Sequence, residues 1–404
     1  MLFPFTQETE TVSDRYDLVV IGAGIQGAGV AQAAAAAGYR TLVLEQTAIA
    51  AATSSQSSKL IHGGLRYLES AQFRLVREAL RERALLIKLA PELVKLVPFY
   101  LPIFKQSRRK AWQLRVGLNL YRALGGFGPG TGFTTLDKSE WAGLDGLVTD
   151  DLVSVFRYYD GQTDDAVLTR AVMRSAESLG AELKMPAEFV GAKIAGDHCQ
   201  VAYREGAAEH SCRCAVLVNC GGPWAARLLE TIEPRQAPFD VELVQGSHLW
   251  LELEAPSGCY YLEAPSDGRG VFAIPWYGET LVGTTETVHH GPPEEARTLP
   301  AETEYLLKTL GHYFPRYRDV APEQIKREYC GLRVLPKSGG SPFSRSREVI
   351  IHGDRTRAPR MVSVMGGKLT TYRLTAQKVM KMVEASLPAA ETKGDTARLP
   401  LRGE

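Results

Sequence analysis

The sequence predicts an α/β protein: a Rossmann-like parallel sheet assembled from discontinuous segments, with an inserted, mainly antiparallel β domain. Three observations predict it. An apolar run, a glycine turn and an alanine-rich helix open the chain as a strand–helix–strand unit; residues 238–345 read as successive strands with one clear helix near 301–314; and a strand ending in glycines is followed by a helix near the C-terminus.

Composition bounds the rest. A chain of 404 residues suggests two or three domains, and 45% hydrophobic with 23% charged residues supports a sizeable core. The 47 Lys+Arg balance 46 Asp+Glu, so no chain-wide field gathers nucleic acid, and no nucleic-acid partner is expected. Six cysteines in a chain this long make no disulfide scaffold, and reduced thiols point to the cytoplasm. The start, MLFPFTQETETVSD, has no basic leader followed by an apolar run, so a secretory signal is not expected. No uninterrupted apolar segment approaches the roughly 18–20 residues that span hydrocarbon.

In order, Tyr16 to Gly22 (YDLVVIG) reads as a buried strand, GVAQAAAAAG as a helix ending near Gly38, and YRTLVLE as a second strand closing at Glu45. Residues from Gln72 to about Leu96 carry apolar positions at helical spacing. Prolines, glycines and a basic stretch then mark a change from 98 to 141. A further helix follows Asp164, capped by Thr163 or Asp164, and short strands are expected near 183–190, 198–204 and 214–219. The expected division is 15–97, 151–235 and 346–390 for the nucleotide-binding domain, with 98–150 and 236–345 as the substrate or cap region and the substrate-binding β domain.

Gly22-Ala-Gly24-Ile25-Gln26-Gly27 matches G-x-G-x-x-G in a strand–turn–helix context. Gly22 permits the tight turn, Gly24 leaves room for a pyrophosphate, and Gly27 permits close helix–sheet contact. The phosphates face the positive helix end, and Glu45 accepts from the two ribose hydroxyls while repelling a 2′-phosphate. These residues alone leave FAD and NAD open. The stretch after Glu45 favours the flavin: Thr53, Ser54, Ser55, Ser58, Lys59, Leu60, Ile61, His62, Gly63 and Gly64 lie in a segment too polar for a core, with hydroxyls and amides suited to phosphate and flavin edges.

Several separated segments resemble the FAD-dependent glycerol-3-phosphate dehydrogenases of the D-amino-acid-oxidase-like flavoprotein superfamily: DLVVIGAGIQGAG, ATSSQSSKLIHGGLRYLE, TDDAVLTRAV, NCGGPWA, QGSHLWL, PWYGETLVGTTE and SVMGGKLTTYR. The resemblance implies tightly bound FAD, oxidation of sn-glycerol 3-phosphate to dihydroxyacetone phosphate, and electrons passed to a quinone, or to oxygen in some relatives. The sequence makes no specific case for a His or Cys link, so non-covalent attachment is expected. It also extends the cofactor set to Gly221, Gly222, Trp224, Gly366, Gly367, Lys368, Leu369 and Thr370. The sequence leaves the oligomeric state open, a homodimer being one option. The sequence departs from the family pattern at Gly221 and Glu286, and it reads as a short form without the additional C-terminal helical domain of long bacterial members.

For the chemistry, Lys368 sits between a strand and a helix start, unfavourably for a helix dipole unless an anion is near, and the resemblance places it beside the substrate hydroxyl. His62 has an imidazole suited to proton transfer; alone it also reads as a hydrogen-bonded loop histidine. Arg66 can hold a phosphate or a developing alkoxide, and Tyr67 can donate a hydrogen bond. Arg333 and Arg347 offer planar forks for phosphate, with Arg345 the competitor of Arg347. The catalytic set is therefore His62, Arg66, Arg333 and Lys368, and the substrate set adds Tyr67, Arg347 and His248. His248 reads equally as a satisfied histidine of the β domain. Adjacent His289 and His290 face opposite ways on a strand, and no metal is expected. The rival reading is an amine or 2-hydroxy-acid oxidase on the same scaffold. Finally, Leu114, Leu118 and Tyr121 fall on one helical side within a basic segment containing Trp112, a pattern that suits either packing on the enzyme or peripheral contact with an anionic membrane.

Overall fold

The strand Arg15–Ile21 carries Leu18, Val19 and Val20 with no exposed surface, so both of its faces must be covered, as in the centre of a parallel sheet. The structure, a computed structural model, describes residues 15–128, 130–337 and 348–403. In it, Arg15–Ile21 pairs in parallel with Thr41–Leu44 on one side and Ala208–Asn219 on the other. Met361–Met365 and Glu182–Lys184 extend this order outward, also in parallel. Five distant pieces of sequence thus build one parallel layer, as the discontinuous reading expected. Glu188–Ala195 and His198–Glu205 continue it as antiparallel strands beside the first half of Ala208–Asn219.

The helix Ile25–Ala36 has no amphipathic face because nearly all of it is buried, between helices Asp165–Ser178 and Tyr372–Val383. Alanine and glycine make that approach feasible: a Cβ on Gly29 would lie 2.6 Å from the Tyr372 ring. Asp164 caps the helix Asp165–Ser178, accepting from the backbone N–H groups of Ala166 and Val167 at 3.0 Å each.

Among the described residues the second sheet has ten strands. Val241–Glu254 pairs antiparallel with Ile325–Pro336 along almost their whole length. Glu279–Gly283, Gly270–Trp276 and Cys259–Glu263 follow, and then Val94–Phe104, Leu152–Thr163 and Leu60–Ile61. The contact between Cys259–Glu263 and Val94–Phe104 is parallel. Helix Pro300–Tyr313 packs Leu306, Leu310 and Tyr313 onto this sheet.

Two expected boundaries move. The helix after Gln72 spans only Phe73–Leu89, and Val94–Phe104 is a strand that begins before residue 98. Leu152–Thr163, expected in the nucleotide-binding domain, belongs to the second sheet. The reason is one long ladder: VKLVPFYLPIF pairs with Leu152–Thr163 from Val94↔Thr163 to Phe104↔Leu152, and among the described residues neither strand has a partner in the parallel sheet.

Candidate active site

A cleft of about 1360 Å³ is lined by residues from both sheets. One wall is built by the glycine turn. Gly22 has φ +92° and lies against Cys220, where a Cβ would come within 2.8 Å of the carbonyl oxygen. Gly27 supports the turn from beneath: its Cβ would sit 1.9 Å from the Gly22 carbonyl oxygen, so any side chain would push the helix off the strand. Gly22, Gly24, Ile25 and Gln26 face the cleft at the helix N-terminus, whose orphan N–H groups suit a pyrophosphate. Glu45 faces it too, but its carboxylate already accepts from the Ala23 N–H at 2.8 Å and from the N–H and hydroxyl of Thr47 at 2.8 and 3.1 Å. It therefore also fixes the turn, leaving about one lone pair for a ribose hydroxyl.

The loop after Glu45 divides into residues that line the cleft and residues that hold the others. Thr53, Ser54, Ser58, Leu60, His62 and Gly64 line it. The Ser54 hydroxyl accepts from the Ile25 N–H at 2.9 Å, and Thr53 donates to the Leu332 carbonyl at 2.9 Å, tying the loop to the second sheet. Gly27, Ser55, Lys59, Ile61 and Gly63, expected as cofactor contacts, are not among the lining residues. Lys59 is consumed inside: its ammonium pairs with Asp165 at 2.6 Å and donates to the Ser55 carbonyl at 2.7 Å. Ser55 donates to the Ala52 carbonyl, and Ile61 is fully buried. The Gly63 N–H donates to the Tyr121 hydroxyl at 2.8 Å, and that hydroxyl donates to Asp160 at 2.7 Å. Asp160 is in turn paired with the fully buried Arg83 at 2.7 Å. This chain of groups anchors the loop that presents His62, whose N–H donates to the Thr370 hydroxyl at 3.2 Å.

Beside the glycine turn, the strand Met361–Met365 delivers Gly366 and Gly367, with φ +69° and +87°, and a Cβ on Gly367 would lie 2.6 Å from the Gln26 side-chain amide. A short turn at Leu369–Thr371 then precedes the helix Tyr372–Val383, so Lys368 lies before the helix. Gly366, Gly367, Lys368, Leu369 and Thr370 all line the cleft, as do Gly221, Gly222 and Trp224. The Lys368 ammonium stands 3.7 Å from the centre of the Tyr67 ring, and the Arg66 guanidinium stands 6.0 Å from it. Arg333 completes the group. Burial and the nearby Arg66 press its guanidinium down to about 10, against the opposing influence of Tyr67 and Glu302, so it is charged at neutral pH. His248 also faces the cleft, stacked on Tyr329 with Nε2 2.9 Å from the Ser58 hydroxyl. Burial, then the cations Arg333 and Lys59, push its imidazole down to about 3, so it is neutral near pH 7. Arg345 and Arg347 lie outside the described residues.

Sequence reasoning missed Gly246, Thr284 and Asp165, which also line the cleft. A glycine inside a long strand signals a close approach, and Gly246 gave that signal within QGSHLWL. The bare glycine turn at a helix N-terminus, Glu45 at the strand end and the glycine pair before Lys368, all lining one cleft, fit a flavin dinucleotide.

Comparison with known proteins agrees with that geometry. The FAD dependent oxidoreductase family matches residues 17–373. The glycerol-3-phosphate dehydrogenase of Pseudomonas tolaasii is 34% identical over 96% of this chain and 78% of its own length. The D-erythritol 1-phosphate dehydrogenase of Brucella abortus is 35% identical over 92% of this chain and 74% of its own. The structure of the glycerol-3-phosphate dehydrogenase from Bacillus halodurans complexed with FAD matches with a TM-score of 0.74 at 26% identity, covering 96% of this chain and 68% of that one. The chain thus belongs to the FAD-dependent oxidoreductase family, matched from the first strand of its parallel sheet into the helix Tyr372–Val383.

Proposed function

We propose that this flavoenzyme oxidises sn-glycerol 3-phosphate to dihydroxyacetone phosphate and holds its FAD non-covalently. The observation that carries the substrate class is the convergence of Arg66, Arg333 and Lys368 around Tyr67 in the wall of the cleft. That much positive charge suits a dianionic phosphate better than a single carboxylate. Bound FAD supplies the hydride acceptor. Arg333 and Arg66 hold the phosphate, Lys368 stabilises the developing alkoxide, and His62 accepts the hydroxyl proton. The Tyr67 ring attracts both Arg66 and Lys368, and neutral His248 packs behind the substrate. Anaerobic addition of glycerol 3-phosphate should bleach the bound flavin rapidly, whereas lactate and glycine should not. Bleaching by an amino or hydroxy acid alone would replace this reading with the rival oxidase. The similarity to the Brucella dehydrogenase favours one second reading, a four-carbon polyol phosphate, and D-erythritol 1-phosphate belongs in the same substrate series.

The proposed acceptor is a quinone, approached from an anionic membrane surface. The membrane face differs from the one the spacing suggested. On helix Ala111–Leu124, Leu118 and Tyr121 are buried against the enzyme and Leu114 packs with them. The exposed apolar residues are instead Trp112 and Val116, 68% and 60% exposed and one turn apart, flanked by exposed Lys110, Arg115 and Arg122. No helix among the described residues is long and apolar enough to cross a membrane. Co-sedimentation with anionic vesicles at low salt, lost at high salt and in Trp112→Ala, supports surface association. Equal recovery with neutral and anionic vesicles removes it, and rapid reoxidation by oxygen in place of a soluble quinone analogue would make the enzyme an oxidase.

A further inference from the structure

Arg333 rests on neutral oxygens. Its Nη1 donates to the Thr285 carbonyl at 3.4 Å and its Nη2 to the Thr284 hydroxyl at 3.1 Å, and no carboxylate among the described residues lies within ion-pair distance. The guanidinium crosses the bare backbone of Gly246, where a Cβ would come within 2.4 Å of Nη2 and 2.5 Å of the Thr284 hydroxyl. Behind this layer sits Glu302, on helix Pro300–Tyr313 and only 5% exposed. Its Oε1 accepts from the hydroxyls of Thr285 and Thr287 at 2.6 and 2.7 Å. Its Oε2 accepts from the Gln245 amide at 2.6 Å, the Ser247 hydroxyl at 2.8 Å and the Leu299 N–H at 3.1 Å.

A buried carboxylate without a paired cation is costly, so five donors gathered on one group call for a reason. Capping the helix accounts for only one of them, the Leu299 N–H. The other four follow the alternation of extended chain. Gln245 and Ser247 flank Gly246 and turn to Glu302, while Gly246 faces Arg333. Thr285 and Thr287 turn their hydroxyls to Glu302, while Thr284 turns its hydroxyl to Arg333. The Thr285 hydroxyl also accepts from the Ser247 N–H at 2.9 Å, locking the two segments together. Burial works against the charged carboxyl, but the donors outweigh it and hold the group below its ordinary range, so it is ionised.

We propose that Glu302 is a positioning residue for phosphate recognition. It clamps the two segments that support Arg333, so that the guanidinium stays flat over Gly246 with its free edge toward the substrate phosphate. Its charge, one layer behind, favours the guanidinium without competing for its hydrogen bonds. This rests on the reading that Arg333 meets the phosphate.

The test uses the FAD-loaded protein and separates phosphate affinity from chemistry. Inorganic phosphate is titrated by calorimetry, and anaerobic flavin reduction is followed with glycerol 3-phosphate and with glycerol, which lacks the phosphate. In Glu302→Gln, an amide NH₂ must face donors, and the Kd for phosphate and the half-saturating glycerol 3-phosphate should rise about 10-fold or more, the loss of one charge-assisted contact. The limiting reduction rate and the glycerol reaction should change less than about threefold, within the reach of a small geometric shift. Thr285→Val removes one donor and should show the same split at smaller size, so it decides the matter if Glu302→Gln does not fold. Arg333→Ala is the control. Unchanged phosphate affinity in Arg333→Ala would overturn the reading on which the inference rests. Weakened affinity there, with wild-type affinity in folded Glu302→Gln or in Thr285→Val, would overturn the positioning role alone. Equal loss with both substrates and with bound FAD would make Glu302 merely structural and overturn it too.

Discussion

Replacing Tyr121 with phenylalanine removes one oxygen atom and tests how the flavin loop is held. Tyr121 is 1% exposed, and its hydroxyl has two partners: it donates to Asp160 and accepts from the Gly63 N–H. Losing a hydrogen bond to a buried carboxylate costs about 1.5–3 kcal/mol, and leaving a buried N–H unpaired costs about 1–3 kcal/mol. The void is the size of one hydroxyl, too small for a replacement water. The expected loss is therefore about 3–5 kcal/mol, a large share of the roughly 5–15 kcal/mol that keeps a protein folded. Asp160→Asn should cost more, because Arg83, also 1% exposed, then loses the carboxylate that neutralises it. The double variant should fall short of the sum, since both changes break one network. Urea unfolding of the FAD-loaded proteins at one fixed flavin concentration gives the midpoints, and flavin fluorescence reports cofactor release. Because Gly63 follows His62 directly, Tyr121→Phe should also release FAD faster. A variant within about 1 kcal/mol of wild type that retains its flavin would show that the network does not anchor the loop.

Three further outcomes are expected. Lys368→Ala should slow anaerobic flavin reduction by roughly 10²-fold or more in stopped flow, with FAD still bound, the range for one group stabilising a developing oxyanion; unchanged kinetics would remove the lysine from this role. Gly27→Ala should yield protein without FAD by absorbance, because its Cβ would lie 1.9 Å from the Gly22 carbonyl oxygen. His248, held down to about 3 when folded, should make the wild type less stable as pH falls. The unfolded histidine takes a proton near pH 6.5 that the folded one refuses, so the penalty starts there and grows until the folded group titrates, reaching roughly 2–3 kcal/mol by pH 4.5. His248→Gln should flatten this fall between pH 7 and 4.5 in urea midpoints, and an unaltered slope would contradict the burial argument.

What the sequence disclosed follows the range of the physics involved. The nucleotide turn was legible because its requirements are local: Gly27 answers to the Gly22 carbonyl five residues back, and Gly22 to Cys220 at the end of the neighbouring strand. The cationic end was legible only through resemblance, since nothing local says that Lys368, Arg66 and Arg333 meet. Where the reading slipped, a distant partner decided. Lys59 stands in a polar loop and looks like a ligand, yet its counter-charge is Asp165, 106 positions along the chain. The spacing of Leu114, Leu118 and Tyr121 correctly marked an apolar face, but periodicity does not say whether lipid or protein covers it. Here the protein itself covers it, through helix Phe73–Leu89 as well as the second sheet, and the exposed apolar side chains of helix Ala111–Leu124 are Trp112 and Val116. Glu302 is the extreme case. In sequence it is the third residue of an ordinary helix, and only folding brings Gln245, Ser247, Thr285 and Thr287 onto it. A buried charge takes its role from the groups that satisfy it. Those groups come from the strand Val241–Glu254 and the segment 285–287, which also support Arg333, so in the proposed role the charge reaches the substrate without touching it.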